Sequence, residues 1–397
     1  MTGQVLSIGD RLRNLRTERA LTQEALSERS GVSVDLIKKL EQGKRETARL
    51  TSLVALANAL DVPLSQLMDK RPRLDGGNDR LVLGLRDALL SPDLLPGFDP
   101  ADDGGEPTPL TALRGAVSRA WGDYWAGRFI DLARTLPGLI AEARVTRRTN
   151  GPPATGPLAQ AYQITACLLV HLGREDLAAL AAERGLAAAA TGDDELQWAT
   201  LNGAYSWALL SQARYEQAEQ LAIRTAERIE PRFSSATEQH LTVWGGLVLW
   251  AMAAAVEGGR GDAAIDHLTL SRVGSARMTK DRHDYGVNFG PTQVAMQGTY
   301  AYAVLGEPDK ALTAARDVHR EDLFAISYGR HLLDVAQAHA DARRDSVAVD
   351  VLQEAKNIAP TWFRHQIPAR TLVTELRERK ARLSPSLRDL VQSLGPA

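Results

Sequence analysis

Six short stretches limit what this chain can fold into more than any other feature. In each, a small or turn residue is followed five positions later by a small or apolar one. The pairs are Gly127 and Leu132, Gly173 and Ala178, Ala213 and Ala218, Gly259 and Ala264, Gly306 and Ala311, and Arg343 and Ala348. Each lies between two runs of helical spacing and reads as the turn of a helix pair. Successive turns are 37 to 47 residues apart, so the loops between pairs vary in length. From Leu110 onward alanine and leucine dominate and β-branched alternation is missing. The fold class is therefore all-α.

The N-terminal region carries a different pattern. Leu36, Ile37 and Leu40 form one apolar stripe, and Val34, Asp35, Lys38 and Lys39 point away from it. Ser33 can cap this helix, and Asp35 suits its positive end. Upstream, Thr22 caps a short helix that starts at Gln23, and Gly31 permits the turn between the two. Gly43 stops the second helix. Two short helices joined by a glycine turn, the second with a polar outer face, describe a helix-turn-helix.

The whole stretch resembles the DNA-binding domain of the phage-repressor-like Cro/C1 or XRE regulators. The matching pieces are Arg11–Arg19, Leu21-Thr22-Gln23, Leu40-Glu41-Gln42-Gly43, Leu53–Leu60 and Val62-Pro63-Leu64. The resemblance implies five helices. It departs in the loop Lys44–Arg49, which is about one residue longer than usual and has no proline. In the usual docking, Val34, Asp35, Lys38 and Lys39 face base edges, with phosphate contact equally open for Lys38. Gln23, Ser33, Lys44, Arg45 and Arg49 are placed near the phosphate backbone.

Charge is distributed to match. Residues 1–70 hold 11 Lys and Arg against 9 Asp and Glu, whereas the rest holds 36 against 40. The one cysteine, Cys167, excludes an internal disulfide and fits a reducing cytosol. No signal pattern or membrane span is expected, and Val243–Val256 reads as a buried core helix. The expected location is cytoplasmic, on the nucleoid. No phosphate-binding loop, nucleophile elbow or His-Glu-x-x-His pair is present, so no enzyme, metal site or cofactor is expected.

The expected domains are residues 1–70, helix-turn-helix; 71–109, a linker with a short helix over Leu81–Leu90; and 110–397, a helical repeat domain for effector binding and dimerisation. Pro96–Pro109 and Thr149–Pro157 read as loops. The repeats resemble tetratricopeptide pairs, with Ala336, Ala348, Ala355 and Pro360 in the best match. The full chain also resembles actinobacterial regulators that join an XRE domain to such repeats. That resemblance implies a DNA-binding, dimeric regulator on a two-fold symmetric operator of double-stranded DNA. Its α-solenoid would sense a small molecule or peptide; the alternative is a scaffold whose repeats bind a protein.

In tetratricopeptide pairs the first helix lines the concave face. Counting back from each turn places Trp121, Tyr124, Gln163, Trp207, Gln293, Met296, Tyr300, Arg330 and Gln337 there, with Asn288 and Phe289 over the same groove. Packing between helices is an equal reading for Trp121 and Trp207. Asn288, Gln293, Met296, Tyr300, Arg330, Gln337 and Trp207 form the expected effector site.

Overall fold

The computed structural model describes residues 7–45, 48, 50–62, 67, 79–91, 106–364, 366–380 and 382–394. Arg49, the linker 70–78 and residues 96–105 lie outside them. So does the expected fifth helix, apart from Leu67, which is helical and fully buried.

Four helices make the described N-terminal domain: α1 (Ile8–Glu18), α2 (Gln23–Ser30), α3 (Val34–Glu41) and α4 (Leu50–Ala59). Local chemistry sets their ends. Ser7 and Asp10 form a capping box on α1. The Thr22 hydroxyl accepts from the Ala25 amide at 3.0 Å, and that of Ser33 from the Leu36 amide at 3.3 Å. Gly31 takes the left-handed φ of 69° that turns α2 into α3. Leu12, Leu26, Ile37, Leu40, Leu53 and Leu56 close a core with no exposure. Each such side chain contributes roughly 1.5–3 kcal/mol.

The repeats follow helix α5 (Asp79–Leu89). Six pairs are formed: α6 (Leu110–Trp125) with α7 (Phe129–Asn150), α8 (Thr155–His171) with α9 (Glu175–Ala189), and α10 (Glu195–Ser211) with α11 (Tyr215–Arg228); then α12 (Glu238–Glu257) with α13 (Gly261–Ser275), α14 (Pro291–Val304) with α15 (Pro308–Ala314), and α16 (Ala325–Asp341) with α17 (Asp345–Ile358). Three helices close the described chain: α18 (Pro360–Arg364), α19 (Ile367–Glu378) and α20 (Pro385–Leu394). The expected loop at Thr149–Pro157 is shorter than its prolines suggested. Pro152–Ala154 form one 3-10 turn that leads directly into α8.

All six turn positions adopt positive φ: 73° at Gly127, 67° at Gly173, 60° at Ala213, 74° at Gly259, 74° at Gly306 and 62° at Arg343. In each turn the next amide reaches back five residues to a helix carbonyl, for example Arg128 to Asp123 at 2.9 Å and Arg344 to His339 at 2.8 Å. That residue's own carbonyl then receives the first bond of the following helix, as from Leu132 to Arg128 at 3.0 Å. This is the Schellman arrangement. The residues five places on, from Leu132 to Ala348, are fully buried.

One element was not expected. Arg282–Asp284 (β1) and Val287–Phe289 (β2) form an antiparallel hairpin, turned by Tyr285 (φ 53°) and Gly286 (φ 72°). Helix α12 is longer than the apolar run suggested. Its composition would suit a membrane span, but 83% of the span-length window is buried inside the protein.

Contacts divide the chain into two compact units. One comprises Met1–Pro72, Met252–Asp266 and Ala295–Ala397; the other comprises Arg73–Ala251 and His267–Val294.

Candidate nucleic-acid interface and effector site

Helix α3, expected to face base edges, is anchored from within. Arg16 of α1 forks onto Glu41 at its end, Nε to Oε1 at 2.7 Å and Nη2 to Oε2 at 2.9 Å. The two side chains are 15% and 4% exposed. This bond also holds the Arg16 guanidinium above its ordinary pKa, against the cost of burial. Gln23 donates to the same carboxylate at 2.6 Å. The amide expected at a phosphate is therefore engaged within the domain. Gly9 brings α1 onto α3, because a Cβ there would lie 1.9 Å from the Leu40 carbonyl oxygen.

The opposite face of α3 is open. Asp35, Lys38 and Lys39 are exposed and Val34 is half-buried. Lys39 pairs with Asp35 at 2.7 Å, and Lys38 lies 4.0 Å from Glu24. Exposed pairs of this kind are worth about 0–1 kcal/mol and separate cheaply. Ser33 and Lys44 are exposed at the two ends of α3, while Arg45 lies 3.6 Å from Glu378 of α19.

The helix-turn-helix domain family matches residues 7–68. That match assigns a helix-turn-helix domain to this stretch of the chain. Two Bacillus subtilis proteins are similar over this region. The HTH-type transcriptional repressor RghR is 44% identical over 64 residues, 16% of this chain and 47% of its own. The uncharacterized HTH-type transcriptional regulator RghRB is 43% identical over 60 residues, 15% of this chain and 43% of its own. The match thus spans less than half of either relative. A crystal structure of Bacillus thuringiensis PlcR in complex with the peptide PapR7 and DNA aligns over 69% of this chain and 99% of that one. Its TM-score is 0.27 at 14% identity, too low for positions to be carried across.

Within the unit that contains the helix-turn-helix, Tyr300 of α14 and Arg330 of α16 come together. The Arg330 guanidinium lies over the Tyr300 ring at 5.4 Å. Two acids complete the group. The Tyr300 hydroxyl donates to Glu257 Oε1 at 2.5 Å, and Arg330 lies 3.5 Å from Asp334. Burial raises the Asp334 carboxyl to about 6, against the opposing pull of Arg330. Burial also raises the Glu257 carboxyl and the Tyr300 phenol. The Arg330 side chain is 37% exposed, whereas that of Asp334 is 10% exposed. Met296 is instead a buried side chain, and the Gln337 amide turns to Asp341 at 3.1 Å.

The other unit holds the remaining expected positions, and its hairpin occupies several of them. Gln163 is buried and donates to the Tyr285 carbonyl at 2.8 Å. A Cβ on Gly286 would lie 2.2 Å from Trp121. Phe289, expected over a groove, is a fully buried core residue seated against Gly245. Asn288 faces His283 across the hairpin at 2.5 Å. The Gln293 amide N–H bonds Asp281 at 2.7 Å, and its side-chain Oε1 is buried without a partner. Tyr124 is buried with its hydroxyl 3.2 Å from His171. Trp207 stacks on Trp250 with centroids 5.1 Å apart. Tyr124 and Trp207 thus pack between helices.

Sequence reasoning missed Glu41, Glu257 and Asp334. Glu257 follows the apolar run of α12 and reads as a solubilising helix end. Among the described residues no group of three or more His, Cys, Asp or Glu is placed to hold a metal. Burial pushes the Cys167 thiol up to about 12, which leaves it a core residue.

Proposed function

We propose that this chain is a sequence-specific, DNA-binding transcriptional regulator. It acts as a homodimer on a two-fold operator, and its helical repeats respond to a small molecule or peptide. The observation that carries the DNA reading is α3, which is clamped at Glu41 while presenting Asp35, Lys38 and Lys39 to solvent. Lysine can donate to guanine O6 and N7, aspartate can accept from cytosine N4, and the valine methyls suit a thymine methyl. One such helix reads few base pairs, so two copies supply the length of an operator.

For the effector, Tyr300 and Arg330 with Glu257 and Asp334 support a site in the repeats. They offer an aromatic face, a cation and two acceptors on three successive first helices. Selection from random duplexes tests the DNA reading. Lys39→Ala is expected to weaken the selected site by about 1–3 kcal/mol and relax one base preference. An unchanged preference would remove Lys39 from the base-reading set. A reporter in the native host tests the effector site, where Tyr300→Ala is expected to keep DNA binding and lose the response.

A further inference from the structure

We infer that Glu257 couples the proposed effector site to the helix-turn-helix domain, its side chain sitting in the site and its main-chain carbonyl holding α4. The inference rests on the effector reading of Tyr300 and Arg330 and names how that site is heard.

A helix leaves its last four carbonyls without intrahelical partners. In α12 three of these accept from the following turn: Ala254 from the Gly258 amide, Ala255 from Arg260 and Val256 from Gly259. The fourth, Glu257, accepts instead from the side chain of Asn58 at 2.6 Å, 199 residues away in sequence. Asn58 lies in the last turn of α4, inside the helix-turn-helix domain. Its Oδ1 is buried without a partner, so the amide is held by its NH2 end. The carboxylate of the same Glu257 receives the Tyr300 hydroxyl at 2.5 Å.

Only a few covalent bonds separate these two groups. Behind them, Gly258 and the left-handed Gly259 place no side chain against the helix end. A shift of the Glu257 backbone that follows its carboxylate moves the carbonyl that seats α4. Two further contacts belong to the same seat. Ile367 of α19 packs against the helix-turn-helix core, and Glu378 lies 3.6 Å from Arg45. While seated, the domain has one of its expected phosphate-binding cations beside a carboxylate. A ligand that takes the Tyr300 hydroxyl or the Glu257 carboxylate for itself changes that seat. This gives the ligand the differential interaction with two states that a switch requires.

Hydrogen–deuterium exchange on the full-length protein, without ligand or DNA, tests the coupling. The variants are Asn58→Ala, Tyr300→Phe and the double; none alters formal charge. Each single substitution is expected to raise exchange in the last turn of α4 at least threefold, and the double no further than the larger single. Tyr302→Phe, on the same helix but beside Lys310, is expected to leave α4 at the parent level. Three outcomes overturn the coupling: α4 unchanged in Tyr300→Phe, full additivity in the double, or an equal rise in Tyr302→Phe. If the parent selects no sequence from random duplexes, the regulator reading falls while the exchange result stands by itself.

Discussion

Glu41→Ala is the substitution whose consequence follows most directly from the geometry. Glu41 is 4% exposed and accepts three hydrogen bonds, two from Arg16 and one from Gln23. Removing it leaves the Arg16 guanidinium with the Leu21 carbonyl at 2.7 Å and 15% exposure to water. Deleting one partner of a buried pair costs about 3–5 kcal/mol. Because Arg16 keeps some solvent access, the lower end, about 3 kcal/mol, applies. That is roughly a 150-fold rise in the unfolded fraction, at about 1.4 kcal/mol per decade. Exchange protection of the α1–α3 amides in the full-length protein should fall by this factor, with α8–α11 unchanged. Replacing the pair by Arg16→Met with Glu41→Leu should cost less than Glu41→Ala alone, because no stranded charge remains. Protection within twofold of the parent in Glu41→Ala would refute the reasoning, and so would a double variant worse than the single.

Three other outcomes are expected. Gly9→Ala places a methyl 1.9 Å from the Leu40 oxygen, a backbone atom that cannot swing aside, and should cost at least about 2 kcal/mol by thermal unfolding. Arg343→Gly relieves a left-handed arginine with φ of 62° and should stabilise the fold by about 0.5–1 kcal/mol in urea. Two buried groups contribute to the pH response with opposite sign. His331, lowered by burial from 6.5 to about 4, contributes stability that is lost as pH falls from 6.5 to 4. Asp334, raised from 3.8 to about 6, costs stability above pH 6 and releases that cost as pH falls. Each effect is about 3 kcal/mol, so these two largely offset one another. Asp334→Asn should therefore lose about 3 kcal/mol between pH 7 and 4 relative to its own neutral value. An acid response equal to the parent's would refute the assignment.

What the sequence shows and hides has a physical basis. Thr22, Gly31 and Ser33 mark helix ends because caps and left-handed turns are local chemistry, satisfied within three residues. The six turns are legible for the same reason. The hairpin escaped, although Tyr285-Gly286 between Val287 and Asp284 was a usable signal for a tight turn. Gly245 and Gly246, within the apolar run of α12, were a second: glycine inside a helix often marks a close approach, here of Phe289 and Val287. The group around Tyr300 and Arg330 was half legible. Tyr300 and Arg330 follow from counting along first helices, whereas Glu257 and Asp334 depend on how one helix end meets its neighbours. The bond of Gln23 to Glu41, 18 residues on, was not legible, because it depends on how α2 meets the end of α3.

The Schellman turns have a consequence for how such a chain can change in length. Each closes one helix and opens the next through the same residue, so an added residue would break both ends together. The stretches between pairs carry no such double duty. The interval of 47 residues from Gly259 to Gly306, the longest of the five, is the one that contains the hairpin. Insertions, epitope tags and grafted loops should accordingly be tolerated between pairs and rejected within them. The molecule is thus divided into fixed modules and editable spacers, and the hairpin is a spacer already put to use.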